Sequence, residues 1–95
     1  MDAILKNKIR GFFKDKPVLK AYLFGSHANG TSAQNSDIDI LVELDHSQPI
    51  GLKFVRMQLE LEELLNSKVD LVTARSLSKY ILPEVERKKE LIYER

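Results

Sequence analysis

The stretch that decides the fold is Val18-Leu19-Lys20-Ala21-Tyr22-Leu23-Phe24, followed by a polar run from Gly25 to Ser36 and then Asp37-Ile38-Asp39-Ile40-Leu41-Val42-Glu43-Leu44. The first seven residues are rich in strand formers and too short for a helix of their own, so they predict a buried strand over 18–24. Residues 25–36 are small, polar and free of Lys, Arg, Asp and Glu, which is turn chemistry, with one short helical turn starting at Ser26. Residues 38–44 predict a second strand. Side chains alternate along it, so Ile38, Ile40 and Val42 point into a core while Asp37 and Asp39 share the opposite face, their α-carbons about 6.6 Å apart.

Working outward, residues 2–15 place Ile4, Leu5, Ile9, Phe12 and Phe13 on one side of a helix stopped by Pro17. Beyond a loop holding Pro49 and Gly51, a helix at about 52–66 has Phe54, Met57, Leu61, Leu64 and Leu65 as its main apolar face. Leu52, Val55 and Leu59 form a second stripe on it. The expectation is that the domain covers this stripe too; the competing hypothesis is that part of it meets another protein chain. After a turn at Asn66-Ser67, residues 68–73 predict a third strand, and 77–89 a helix in which Pro83 is tolerated only near a start or a break. The tail 91–94 suits either a short edge strand or a last helical turn. Alternating elements of this kind predict an α+β fold over 1–95 as one domain, a small mixed β-sheet with helices packed on it.

Composition narrows the chemistry. The 95 residues include no cysteine, which excludes disulfides, thiolate zinc sites and a cysteine nucleophile. No segment approaches the roughly 20 apolar residues of a membrane span, and the N-terminus lacks a signal-peptide pattern, so the expectation is a cytoplasmic protein. The net charge of +1 hides an uneven distribution. Residues 1–20 carry six Lys/Arg against two Asp, whereas residues 37–63 carry seven Asp/Glu against two Lys/Arg. With no Trp, and with Phe12 and Phe13 on the apolar stripe, the basic first helix offers no stacking surface, so nucleic acid is not an expected partner.

The acidic centre holds the chemistry. Two carboxylates this close repel one another and pay for desolvation unless a cation lies between them, and an oxygen-only ligand set favours a hard ion such as Mg²⁺. Asp70, an acid among Val69, Leu71 and Val72, repeats the pattern on the third strand. If the two strands are neighbours, Asp37, Asp39 and Asp70 converge as a plausible centre for two metal ions in phosphoryl or nucleotidyl transfer. A strand ending in Gly25-Ser26 would present backbone N–H groups to an anion. Two other motifs fail. Gly25-x4-Gly30 has Thr31 where a P-loop needs Lys. A calcium loop from Asn35 has Ile40 where Gly is required and His46 where Glu is required.

Phe24-Gly25-Ser26-x-Ala28-x-Gly30, Ser36-Asp37-Ile38-Asp39 and Val69-Asp70-Leu71-Val72 together resemble the signature of polymerase β-like nucleotidyltransferases, and the short chain resembles the minimal nucleotidyltransferase (MNT) branch, whose members often accompany a helical HEPN partner in toxin–antitoxin pairs. The resemblance implies a magnesium-dependent enzyme that moves AMP from ATP to a hydroxyl of a protein partner. Asp37 and Asp39 would hold the metal on the triphosphate. Asp70 would complete a second metal site and help activate the attacking hydroxyl. Gly25 and Ser26 would bind the β/γ-phosphates, with a helix N-cap as the plain structural role of Ser26. A chain of this length has no second domain to grip a small acceptor, which favours a protein acceptor. The alternative is a catalytically idle antitoxin that neutralises its partner by binding alone, and a homo-oligomer is allowed. Members often carry Arg where this chain has His27 and Asn29. Lys53, Arg56, Arg75 and Lys79 are the bases that could replace them, although each suits a solvated helix or loop, as do His27 and His46.

Overall fold

The computed structural model describes residues 3–24 and 38–95. Helix α1 (Ala3–Phe13) leads into β1 (Val18–Phe24); β2 (Ile38–Leu44), α2 (Lys53–Leu65) and β3 (Val69–Val72) follow. A 3₁₀ turn (Ala74–Ser76), α3 (Leu82–Lys88) and β4 (Glu90–Glu94) complete the order. The strands form one sheet in the order β3-β2-β1-β4. β1 runs antiparallel to both β2 and β4, while β2 and β3 are parallel, which makes the sheet mixed and the fold α+β. The parallel pair requires a crossover, and α2 supplies it.

One face of the sheet is covered by α1 and α2. Ile9 and Phe13 of α1 and Met57, Leu61 and Leu65 of α2 pack with Ala21, Leu23, Ile38, Ile40, Val42, Val69 and Leu71 in a single cluster. The odd–even alternation expected of β2 is thus realised, with Ile38, Ile40 and Val42 in this core. Helix α2 ends where Asn66 adopts the left-handed conformation (φ 50°) and its N–H bonds the Glu62 carbonyl, the turn that Asn66-Ser67 predicts. The amphipathic pattern of α1 holds except at Ile4, which is 66% exposed, so the stripe that meets the core starts at Leu5.

Two expectations need revision, and the alternative left open for the tail is decided. Residues 77–89 do not form one helix: α3 begins only at Leu82, with Pro83 in its first turn. Pro83 has no N–H and its ring would clash with the carbonyl four residues earlier, so the helix cannot extend back through it. Instead the Ser78 hydroxyl accepts the Tyr80 and Ile81 N–H groups at 3.3 Å, and its carbonyl accepts the Leu82 N–H at 2.9 Å. The tail is an edge strand on β1, held by the Arg10 guanidinium donating to the Ile92 carbonyl at 2.7 Å and by Arg95 donating to Asp45 and to the Lys16 carbonyl. The second stripe of α2 is not covered by the domain: Leu52, Val55 and Leu59 are 84%, 54% and 59% exposed.

Candidate active site

The register of the parallel pair creates the site. Ile38 lies opposite Val69, Asp39 opposite Asp70 and Ile40 opposite Leu71. Because Ile38, Ile40, Val69 and Leu71 are all in the helix-covered core, alternation directs Asp39 and Asp70 together to the other face. Neighbouring strands lie about 4.8 Å apart, so two carboxylates stand side by side at one end of the sheet. Asp39 is half-buried and Asp70 exposed. β1 contributes Phe24, the register partner of Asp39, and with it the point from which the chain enters Gly25-Ser26. Asp37, Gly25 and Ser26 lie outside the described residues.

Asp70 owes its place to contacts that no motif announces. The Glu62 carboxylate on the last turn of α2 accepts the N–H of Val69 at 3.0 Å, and the Lys68 carbonyl accepts the N–H of Ile38 at 3.0 Å. These bonds set the start of β3 against the start of β2. Helix α2 therefore orients the strand that carries Asp70 as well as covering the core. In the sequence Glu62 reads as one of several acids on a solvated helix face, and only the chain reversal at Asn66 brings it to β3.

Farther along the same face, Tyr22 donates its hydroxyl to Glu43 at 2.9 Å, and the Lys89 ammonium lies 4.0 Å from the Tyr22 ring centroid. Burial, then the Glu43 carboxylate, pushes the Tyr22 phenol up to about 12. The four bases considered as replacements for the missing arginines are not gathered at the Asp pair. Lys53 and Arg56 sit on α2, across the sheet, beside a groove formed with Lys16 and Pro17. Arg75 lines a cavity with Glu43, His46 and Thr73 at the far end of β2. Lys79 lies over the Tyr80 ring at 5.4 Å.

Among the described residues no group of three His, Cys, Asp or Glu side chains is placed to hold a metal ion. The described members of the expected set are the two register partners. Adjacent carboxylates on one sheet face destabilise each other unless a cation offsets their charge, and oxygen donors of this kind suit Mg²⁺. The pair therefore fits a hard divalent ion as part of a ligand set.

A small mixed sheet with α1 and α2 on one face and paired aspartates on the other is the arrangement of a nucleotidyltransferase core. Residues 7–95 match the family described as Polymerase beta, Nucleotidyltransferase, and the chain belongs to that family of enzymes. It is 41% identical over 71 residues to the protein adenylyltransferase MntA of Thermococcus cleftensis, covering 75% of this chain and 69% of that one. A chain from a toxin–antitoxin complex solved with AMP-PNP superposes with a TM-score of 0.78 at 32% identity, covering 95% of this chain and 73% of that one. A second complex, the tri-AMPylated Shewanella oneidensis HEPN toxin with its MNT antitoxin, gives a TM-score of 0.74 at 27% identity, covering 100% of this chain and 74% of that one. Among the described residues no helix is long and apolar enough to cross a membrane.

Proposed function

We propose that this protein is a protein adenylyltransferase that moves AMP from ATP to a hydroxyl of a helical HEPN-type partner, as the antitoxin of a toxin–antitoxin pair. The observation that carries the reading is the register pairing of Asp39 with Asp70 on the face of the sheet away from α1 and α2. The likeness to MntA and to a complex containing an AMPylated HEPN toxin supports the donor and the acceptor class.

In this reading Asp37, Asp39 and Asp70 would hold two Mg²⁺ ions, which when bound supply neutralising charge to the triphosphate. Gly25 permits close approach of the backbone, and Ser26 offers its N–H and hydroxyl to the β/γ-phosphates. The acceptor oxygen forms a bond to the α-phosphorus, the bond from that phosphorus to the bridging oxygen breaks, and pyrophosphate leaves. Asp70, exposed at the strand start, helps draw the proton from the attacking hydroxyl. Positioning and charge neutralisation supply most of the rate, since little covalent chemistry falls to the protein. ATP as donor and a chain without cysteine both suit the cytoplasm.

The test is transfer of label from α-labelled ATP to the co-expressed HEPN partner, read alongside the partner's mass. The wild-type chain should add AMP, and Asp39→Ala and Asp70→Ala should abolish the addition. Persistent transfer by both variants would refute the site. No mass gain on the partner, with full neutralisation by the variants, would mean that the chain acts by binding alone.

A further inference from the structure

Leu52, Val55 and Leu59 stand on the side of α2 that faces away from the sheet, at the spacing that lines residues along one helix face, and the domain leaves them exposed. Beside this seam the charge is divided. Arg56 lies toward the N-terminal half, and Glu60 and Glu63 toward the C-terminal half. Among the described residues none of the three enters an ion pair, even though Arg56 and Glu60 are four apart, a spacing that often pairs within a helix.

A seam with a basic end and an acidic end is complementary to itself when turned around. We infer that α2 is a self-association surface on which a second copy of this chain docks its own α2 in antiparallel orientation about a two-fold axis. In that pairing Val55 of each copy packs on Leu59 of the other, and Leu52 extends the apolar contact at both ends. Each Arg56 comes within reach of the second copy's Glu60 and Glu63. One patch serves both sides, as a two-fold contact requires, and the chain is not passed on to a third copy. A parallel arrangement would instead set Arg56 beside Arg56 and acid beside acid. The surface lies across the sheet from Asp39 and Asp70, so the pairing leaves that face open, and the inference does not depend on the proposed activity.

A single helix pair falls below the roughly 1,200 Å² of total buried surface at which standard stable interfaces begin, so the dimer belongs to the weak, concentration-dependent class. Sedimentation velocity of the purified chain over a wide concentration range, at low and high salt, reads it directly. The wild-type chain should pass from monomer to dimer and no further, less readily at high salt because the rim charges are screened. Arg56→Glu should weaken association by about tenfold or more, because it sets like charges against each other. The double variant Glu60→Arg/Glu63→Arg should behave likewise, and Leu59→Ser should weaken it through lost apolar contact. All these positions are solvent-facing, so circular dichroism should show unchanged folding. The decisive arm is an equimolar mixture of Arg56→Glu with Glu60→Arg/Glu63→Arg, which should recover dimer as a heterodimer. A monomer at every concentration, a dimer indifferent to these variants, or a mixture that fails to recover would each overturn the inference. So would a monomeric chain whose Leu59→Ser variant loses its HEPN-type partner, because the seam would then belong to that partner.

Discussion

Replacing Asp70 by Asn should make the resting protein more stable while destroying its chemistry. Asp70 and Asp39 are direct register partners on one face, and like charges opposite one another in a sheet cost about 0.2–1 kcal/mol. Asp70 is exposed, so solvent screening confines the gain to the lower part of that range, about 0.2–0.5 kcal/mol. Asn keeps the shape of Asp and removes the charge, so no packing loss offsets the gain. For a domain of this size each kcal/mol moves the unfolding midpoint by about 4–8 °C, which predicts a rise of about 1–4 °C in thermal melts followed by circular dichroism at low ionic strength without divalent cations. The difference should shrink in about 1 M salt, where the screening length falls to about 3 Å. Added Mg²⁺ should raise the midpoint of the wild-type chain more than that of the variant. A variant melting below wild type at low salt, or a gain unchanged in high salt, would refute the electrostatic reading of the pair.

Other perturbations test the frame around the site. Leu61 is fully buried between α2 and the sheet, so Leu61→Ala should cost about 2–5 kcal/mol and lower the midpoint of a urea melt without altering the native circular dichroism spectrum. The Tyr22 phenol is raised by burial and by Glu43, so its contribution is fully present below the ordinary tyrosine value near 10 and fades as pH rises through about 12. Tyr22→Phe should therefore remove part of the alkaline loss of stability, and ultraviolet titration should lose a phenol that ionises near pH 12 in that variant. Asp45 is held below the usual carboxylate range by the Ser47 hydroxyl and then by Arg95. Its contribution is present above the ordinary value near 4 and is lost as pH falls toward the lowered one, so Asp45→Asn should flatten the acid limb of a melting-temperature profile.

The two strands that frame the candidate site were legible in the sequence to the residue, at 18–24 and 38–44, because turn-forming runs bound both and a two-residue apolar alternation marks the second. Asp39 and Asp70 were legible as acids carried within strands, since charge inside a strand has few structural explanations. The extent of α3 was not. Apolar periodicity runs through 77–89, but one proline ring removes the first turn and leaves Ser78 to organise the approach.

The sequence by itself determined the three strands near 18–24, 38–44 and 68–73, the apolar face of the second, and that Asp39 and Asp70 each share a strand with core residues, because those properties depend on local alternation. Only the tertiary structure decided that β3 lies parallel to β2 in the register that sets Asp70 beside Asp39, that Glu62 holds the start of β3, and that Leu52, Val55 and Leu59 remain exposed. Each of these depends on what stands across a gap between elements distant along the chain. Periodicity records which way a side chain points and carries no information about what it meets.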